Sequence, residues 1–223
     1  MRFVRENGLS LFFGLLFLVT TVAESVVGHS VFNQEQLAHG EQAISYGRYL
    51  LSSHFGEALL ENWQSEWLQF ILFGLATVWL VQRGSAESKE LGDEGLQSDT
   101  KQKVGGRAPD DAPPWAKLRG WRSAVLGNSF LIVMTVVFFG SWLGESTTAW
   151  TEFNNEQQMH HQPTVSWASY LGEADFWEKS FQNWQSEFLA VGAMTVFTVY
   201  LRQRGSPESK PVGAPNSETT TQV

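Results

Sequence analysis

The 223-residue chain contains no cysteine, which removes disulfides, thiol nucleophiles and cysteine-ligated metals. Positive charge is also scarce: 15 Lys and Arg stand against 23 Asp and Glu, a formal net charge of -8. A nucleic-acid partner, whose phosphates need a basic footprint, is excluded on that balance. The sequence has no phosphate loop, no G-x-S-x-G elbow and no nucleophile flanked by a base. It therefore offers no catalytic residues and no cofactor site, and points away from an enzyme.

What it does have is 16 Phe, 10 Trp and a blockwise distribution of apolar residues. The mean hydropathy of -0.17 averages over very unequal segments. Apolar runs occupy residues 9–23, 67–81, 124–144 and 188–201. A membrane-spanning helix needs about 20 mostly apolar residues. The second and fourth runs reach that length only if the preceding "NWQSE" string joins them. Four transmembrane helices are expected, at about 8–28, 63–82, 123–145 and 184–203.

Shifted by 121 positions, the sequence aligns with itself without gaps from Asn7 onto Asn128 through to Lys89 onto Lys210. "NWQSE" appears at 62–66 and 183–187, "QRGS" at 82–85 and 203–206, and Glu24, Phe32, Asn33, His39, Tyr49 and Phe55 match Glu145, Phe153, Asn154, His160, Tyr170 and Phe176. The first apolar run, with its basic start and Ala23 before Glu24, has the outline of a signal peptide. As the partner of an internal run, however, it reads as part of a repeated unit that is retained. The expected layout is repeat 1 over 1–83, a disordered linker over 84–120, repeat 2 over 121–204 and a disordered tail over 205–223. The linker and tail are rich in Gly, Ser, Pro and charge and nearly empty of large apolar residues, so neither buries enough surface to offset ordering.

Among the basic residues, only Arg48 and Lys179 fall in the loops 28–65 and 145–186. The positive-inside rule then puts both termini and the linker in the cytoplasm. The partner is the lipid bilayer. Two repeats inserted the same way up imply a pseudo-two-fold along the membrane normal. The outer loops keep matched aromatics and are net acidic. "FNQEQLAH" and "FNNEQQMH" suggest helix starts capped by Asn33 and Asn154, while "ISYGRYL" and "VSWASYL" suggest Ser-capped turns. Short interfacial helices are expected there. Gly140 and Gly144 are expected to let helices approach closely.

Counting 1.5 Å per residue from the inner anchors puts Glu24 and Glu66 near one level, at or just under the outer boundary. The duplication repeats this with Glu145 and Glu187, giving a layer of four carboxylates. Asn62, Gln64, Asn183 and Gln185 lie beside it. Helix-start anions at Glu66 and Glu187 are favoured by the macrodipole, whereas Glu24 and Glu145, near helix C-termini, need partners. His39 and His160 each follow a Glu by four residues, a spacing that fits either an ordinary surface pair or, with carboxylates, a metal site. No dense ligand motif accompanies them.

The strings "FN.EQ..H", "NWQSE[WF]L" and "QRGS.ESK", each present in both halves, resemble those of an uncharacterised bacterial membrane-protein family, domain of unknown function 6766. The resemblance implies an integral protein of the bacterial plasma (inner) membrane without an assigned activity, and it carries over no site residues. The sequence thus reads as an all-α membrane protein that binds a partner or ligand at its acidic, aromatic outer face. A proton or cation channel using the carboxylate layer is the alternative, and a metal-dependent membrane enzyme the weaker one. Four spans make a thin bundle, which favours a homo-oligomer.

Overall fold

In the computed structural model, residues 2–219 are described. Among them are eight α-helices and no strand: α1 (Arg2–Glu6), α2 (Gly8–Ala38), α3 (Tyr46–Tyr49), α4 (Ser53–Trp79), α5 (Trp121–Gly127), α6 (Ser129–Met159), α7 (Trp167–Tyr170) and α8 (Ala174–Tyr200). Lengths recur at the matched positions: α2 and α6 have 31 residues, α4 and α8 have 27, and α3 and α7 have 4.

Two of these helices, α2 and α6, are long and apolar enough to cross a membrane. At 1.5 Å per residue each is about 46 Å long, more than a hydrocarbon core of about 30 Å. α4 and α8 fall short of that standard because their first halves are polar. Glu57, Glu61 and the "NWQSE" string leave α4 with an apolar stretch only from Trp67 to Trp79.

The helix boundaries differ from the expected ones at both ends. At their C-terminal ends, α2 and α6 continue through the "FN" strings, so Asn33 and Asn154 are not helix caps. Each instead uses its side-chain amide as a substitute backbone. Asn33 Nδ2 donates to Ile44 O (3.0 Å) and its Oδ1 accepts from Ile44 N (2.8 Å). Asn154 does the same with Val165, at 3.0 and 2.8 Å. One turn earlier, His29 Nε2 and Trp150 Nε1 bond the same two carbonyls, each at 2.8 Å. Two turns earlier, Ser25 meets Tyr46 Oη (2.6 Å) and Ser146 accepts from Trp167 Nε1 (3.2 Å). Residues at i, i+4 and i+8 share a helix face, so one stripe of each long helix holds its returning loop. Ser166 caps α7 as expected, accepting from Ser169 N (3.2 Å), whereas Ser45 precedes α3 without a side-chain cap bond.

At their C-terminal ends, α4 and α8 stop at Trp79 and Tyr200 rather than at the two "QRGS" strings, which fold as matched turns. Gln82 N donates to Ser88 Oγ and Gln203 N to Ser209 Oγ, both at 2.8 Å. Gly84 (φ +84) and Gly205 (φ +86) supply the left-handed residue of each turn. Lys89 Nζ donates to Val78 O in the last turn of α4 and to Gly95 O, at 3.1 and 2.9 Å. Lys210 Nζ donates to the carbonyls of Pro215, Asn216 and Glu218 (2.9–3.2 Å). The expected third span begins with a break, since Asn128 separates α5 from α6 as Asn7 separates α1 from α2. Their side-chain amides bond Ala124 O (2.8 Å) and Phe3 O (2.9 Å).

The chain divides into two compact units. One joins the chain up to Leu60 with Gly144–Phe176, and the other joins Glu61–Leu143 with the chain from Trp177 on. In the first unit, α4 meets α6 where Leu60 lies against Gly144 and Thr148 against Gly56. In the second, Phe130 and Leu131 of α6 lie over Gly74 of α4. Gly144 is therefore at a close approach as expected, but Gly140 has open space above it.

Candidate functional site

The two ends of the long helices carry the chemistry of the first unit. Past its apolar stretch α2 presents Phe32, Gln36 and His39, followed by Glu41; α6 presents Glu152, Asn155 and Met159, followed by His161. Together they line a cleft of about 620 Å³. The wall behind Glu152 is built by the start of α4. Ser53 Oγ donates to Glu152, and His54 Nδ1 lies 3.7 Å from its other oxygen. Asn155 Nδ2 adds a bond at 3.3 Å. His54 is fixed in turn by aromatic contacts: Phe32 at 5.0 Å and the buried Tyr49 at 6.1 Å between ring centroids. The Glu152 carboxylate beside it raises the pKa of His54 above its ordinary value, outweighing the opposing effect of burial. Two carboxylates and two imidazoles thus face a half-open space with Phe32 and Met159 as its apolar part. Such a lining favours a positively charged group with an apolar flank.

The sequence pointed to only one residue of this cleft, His39. Its Nδ1 bonds the Glu35 main-chain carbonyl (2.9 Å) rather than a carboxylate. His160 is exposed and its neighbour His161 takes the place in the cleft. Among the described residues no group of three or more His, Asp or Glu is arranged to hold a metal. Glu152 and His54 were missed because attention went to positions that agree between the repeats. These two disagree: Val31 matches Glu152, and Asp175 matches His54. In repeat 2 Asp175 serves differently, accepting from Tyr170 Oη (3.0 Å). Divergence between otherwise matched halves was the available signal.

The remaining candidates are distributed over both units. Glu24 and Glu145 belong to the first, Glu24 exposed on α2 and Glu145 fully buried on α6. The second unit brings α4 and α8 together along a polar seam. Asn183 donates to Glu61 (2.6 Å), Trp184 Nε1 donates to Gln64 Oε1 (2.8 Å), and Glu187 lies beside Ser65 and Glu66. Gln64 is completely buried, and neither its Nε2 nor Trp67 Nε1 has a hydrogen-bond partner among the described residues. Asn62, Glu66 and Gln185 are exposed.

The fold defines an all-α chain with two helices long and apolar enough to cross a membrane. A family model described as a domain of unknown function, DUF6766, matches residues 1–221, and the chain belongs to that family. No curated protein and no solved structure matches it.

Proposed function

We propose that the chain is a membrane-embedded binding module that captures a cationic group with an apolar flank in the cleft between the ends of α2 and α6. The cleft itself carries the reading, with Glu152 supported from behind and Glu41, His39 and His161 around it. Four spans in two repeats, with both termini cytoplasmic, put this cleft on the outer face of a bacterial plasma membrane. The matched helix lengths support the repeat. The crowding of basic residues into the linker and terminal segments supports the orientation.

The test is thermal stability of the purified protein in detergent with choline and with its uncharged carbon isostere. Choline should raise the melting temperature, the isostere should not, and Glu152→Gln should abolish the shift. Equal shifts from both compounds, or none from either, would sink the proposal.

A second reading, passage of protons or cations through the bundle, draws on the seam of the second unit. Glu66, Glu187 and Ser65 cluster there, next to two buried N–H donors that lack partners among the described residues. Unsatisfied buried donors are costly and invite water. Against it, past Gln69 the only polar residue on α4 is Thr77, and past Glu187 only Thr195 and Thr198 interrupt α8 before Tyr200.

A further inference from the structure

The two "QRGS" turns both belong to the second unit, and they are built alike but filled differently. Beyond the matched bonds from Gln82 and Gln203, Ser85 N and Ser206 N close each turn onto Gln82 O and Gln203 O, both at 3.1 Å. The Ser85 and Ser206 hydroxyls accept from the N–H groups of Glu87 and Glu208, at 3.1 and 3.2 Å. Gly84 and Gly205 carry the positive φ. Main-chain N–H groups gathered by a left-handed residue in a turn form a small concave site for an oxygen-bearing anion.

The first turn already holds an oxygen. Gly84 N donates to Thr219 Oγ1 (2.9 Å), and Asn216 O occupies the space that a Cβ at Gly84 would need. The segment that reaches the turn is fastened by Arg202, whose Nη2 donates to Ala214 O (3.1 Å) and Asn216 Oδ1 (3.0 Å), and by the three carbonyls on Lys210 Nζ. Ser85 is consequently at 0 % exposure.

No segment of the same unit fills the second turn. Among the described residues of the unit, Gly205 N has no acceptor, and a Cβ at Gly205 would meet no atom within 4 Å. Residues 203–212 enclose a cavity of about 610 Å³ there, with Arg204, Gly205 and Ser206 in its wall. Arg202 and Lys210 are taken up by main-chain carbonyls, whereas the Arg204 guanidinium has no partner among the described residues of the unit. Glu208, the carboxylate of this turn, is not in the wall; its carboxyl is hydrogen-bonded to that of Glu87. The cavity therefore offers a forked cation, a main-chain N–H and a serine hydroxyl, with no carboxylate beside them. Arg in that company fits the oxygens of a phosphate group.

We propose that the turn at 203–209 binds a phosphate group, whether of free phosphate or of an anionic lipid, where the turn at 82–88 holds the Thr219 oxygen. Gly205 N–H and the Arg204 fork donate to the phosphate oxygens. The Ser206 oxygen already accepts from Glu208 N, which leaves its O–H to donate as well. The site lies just beyond the end of α8, so a lipid headgroup reaches it only if that end meets a bilayer surface, as the four-span reading requires. Free phosphate reaches it in either case.

The full chain in detergent is melted with sodium phosphate against sodium chloride at matched ionic strength, and in micelles doped with phosphatidylglycerol against phosphatidylcholine. A saturable rise in melting temperature with phosphate assigns a free phosphate group; a rise confined to phosphatidylglycerol assigns the lipid headgroup. Either supports the site. Arg204→Gln, at an exposed position, should weaken the response about tenfold or more, as expected for the loss of a charged hydrogen bond. Arg83→Gln, in the filled turn, should leave it unchanged. No saturable response to either probe, a response that survives Arg204→Gln, or one lost equally in Arg83→Gln would overturn the proposal. The cleft at the ends of α2 and α6 is probed with a cation, so the two proposals fail separately.

Discussion

The C-terminal half of α2 carries a sharp steric prediction. A Cβ added at Gly28 would lie 2.3 Å from Tyr49 Oη and 3.3 Å from Cζ, about an ångström short of ordinary contact at the hydroxyl. Tyr49 is buried at 2 % exposure, so its ring has little room to retreat. Overpacking of this kind costs about 1–3 kcal/mol. Alanine in place of glycine returns roughly 1 kcal/mol of helix propensity, so Gly28→Ala should destabilise by about 1 kcal/mol net. Repeat 2 shows the compensated arrangement, with buried Ala149 at the matched position and the Tyr170 hydroxyl drawn to Asp175. Removing the hydroxyl with Tyr49→Phe leaves only the 3.3 Å ring contact. Gly28→Ala should then be neutral or stabilising by up to about 1 kcal/mol. Unfolding of the four variants in detergent, followed by tryptophan fluorescence, measures the coupling. If Gly28→Ala costs the same with and without the hydroxyl, the clash is not the cause. Since Tyr49 also supports His54, Gly28→Ala in the tyrosine background should weaken choline binding as well.

The clamp on the outer loop predicts that Asn154→Ala lowers stability by about 1–3 kcal/mol, because Val165 loses a donor and an acceptor together. Proteolysis of the 160–166 segment should accelerate, and an unchanged cleavage rate would argue that the two bonds do not hold the loop. His54 has a raised pKa because of Glu152, so their pairing adds stability that is complete below the ordinary value of 6.5 and fades as pH rises through the raised one. The pair is partly exposed, so about 0.5–1 kcal/mol is at stake. His54→Gln should flatten the melting temperature between about pH 6 and 8, and an unchanged slope would refute the pairing. Beyond the end of α4, burial and then the neighbouring Glu208 carboxyl raise the pKa of Glu87. The folded state therefore holds a proton that the unfolded chain releases, and stability falls as pH climbs from 4.5 through the raised value. Glu87→Gln should raise the neutral-pH melting temperature; a decrease would show that the charged form is the favoured one.

The architecture was legible wherever it is written in local chemistry. Continuous apolar runs gave helices, and Ser166 gave a capped turn. Helix ends were less legible because Asn33 and Asn154 sit in a capping-like context and choose a tertiary partner eleven residues on. The helix ends expected near 82 and 203 fall about three residues too late, since an apolar run leading into a basic string looks the same whether the helix stops at that string or just before it. The cleft was hidden for a different reason. Ser53 and Glu152 are 99 positions apart, and neither stands in a motif. The sequence could mark His39 but not what it would face.

The cysteine-free chain also allows the most direct measurement, which is the side of the membrane on which each loop lies. Gln42→Cys, Thr100→Cys and Thr164→Cys, all at exposed positions, are labelled in intact cells with a membrane-impermeant maleimide and again after lysis. Four spans with an outer cleft predict labelling at 42 and 164 in intact cells and at 100 only after lysis. If α2 and α6 alone crossed the bilayer, 42 and 100 would label together from outside and 164 would be protected. That pattern would contradict the account.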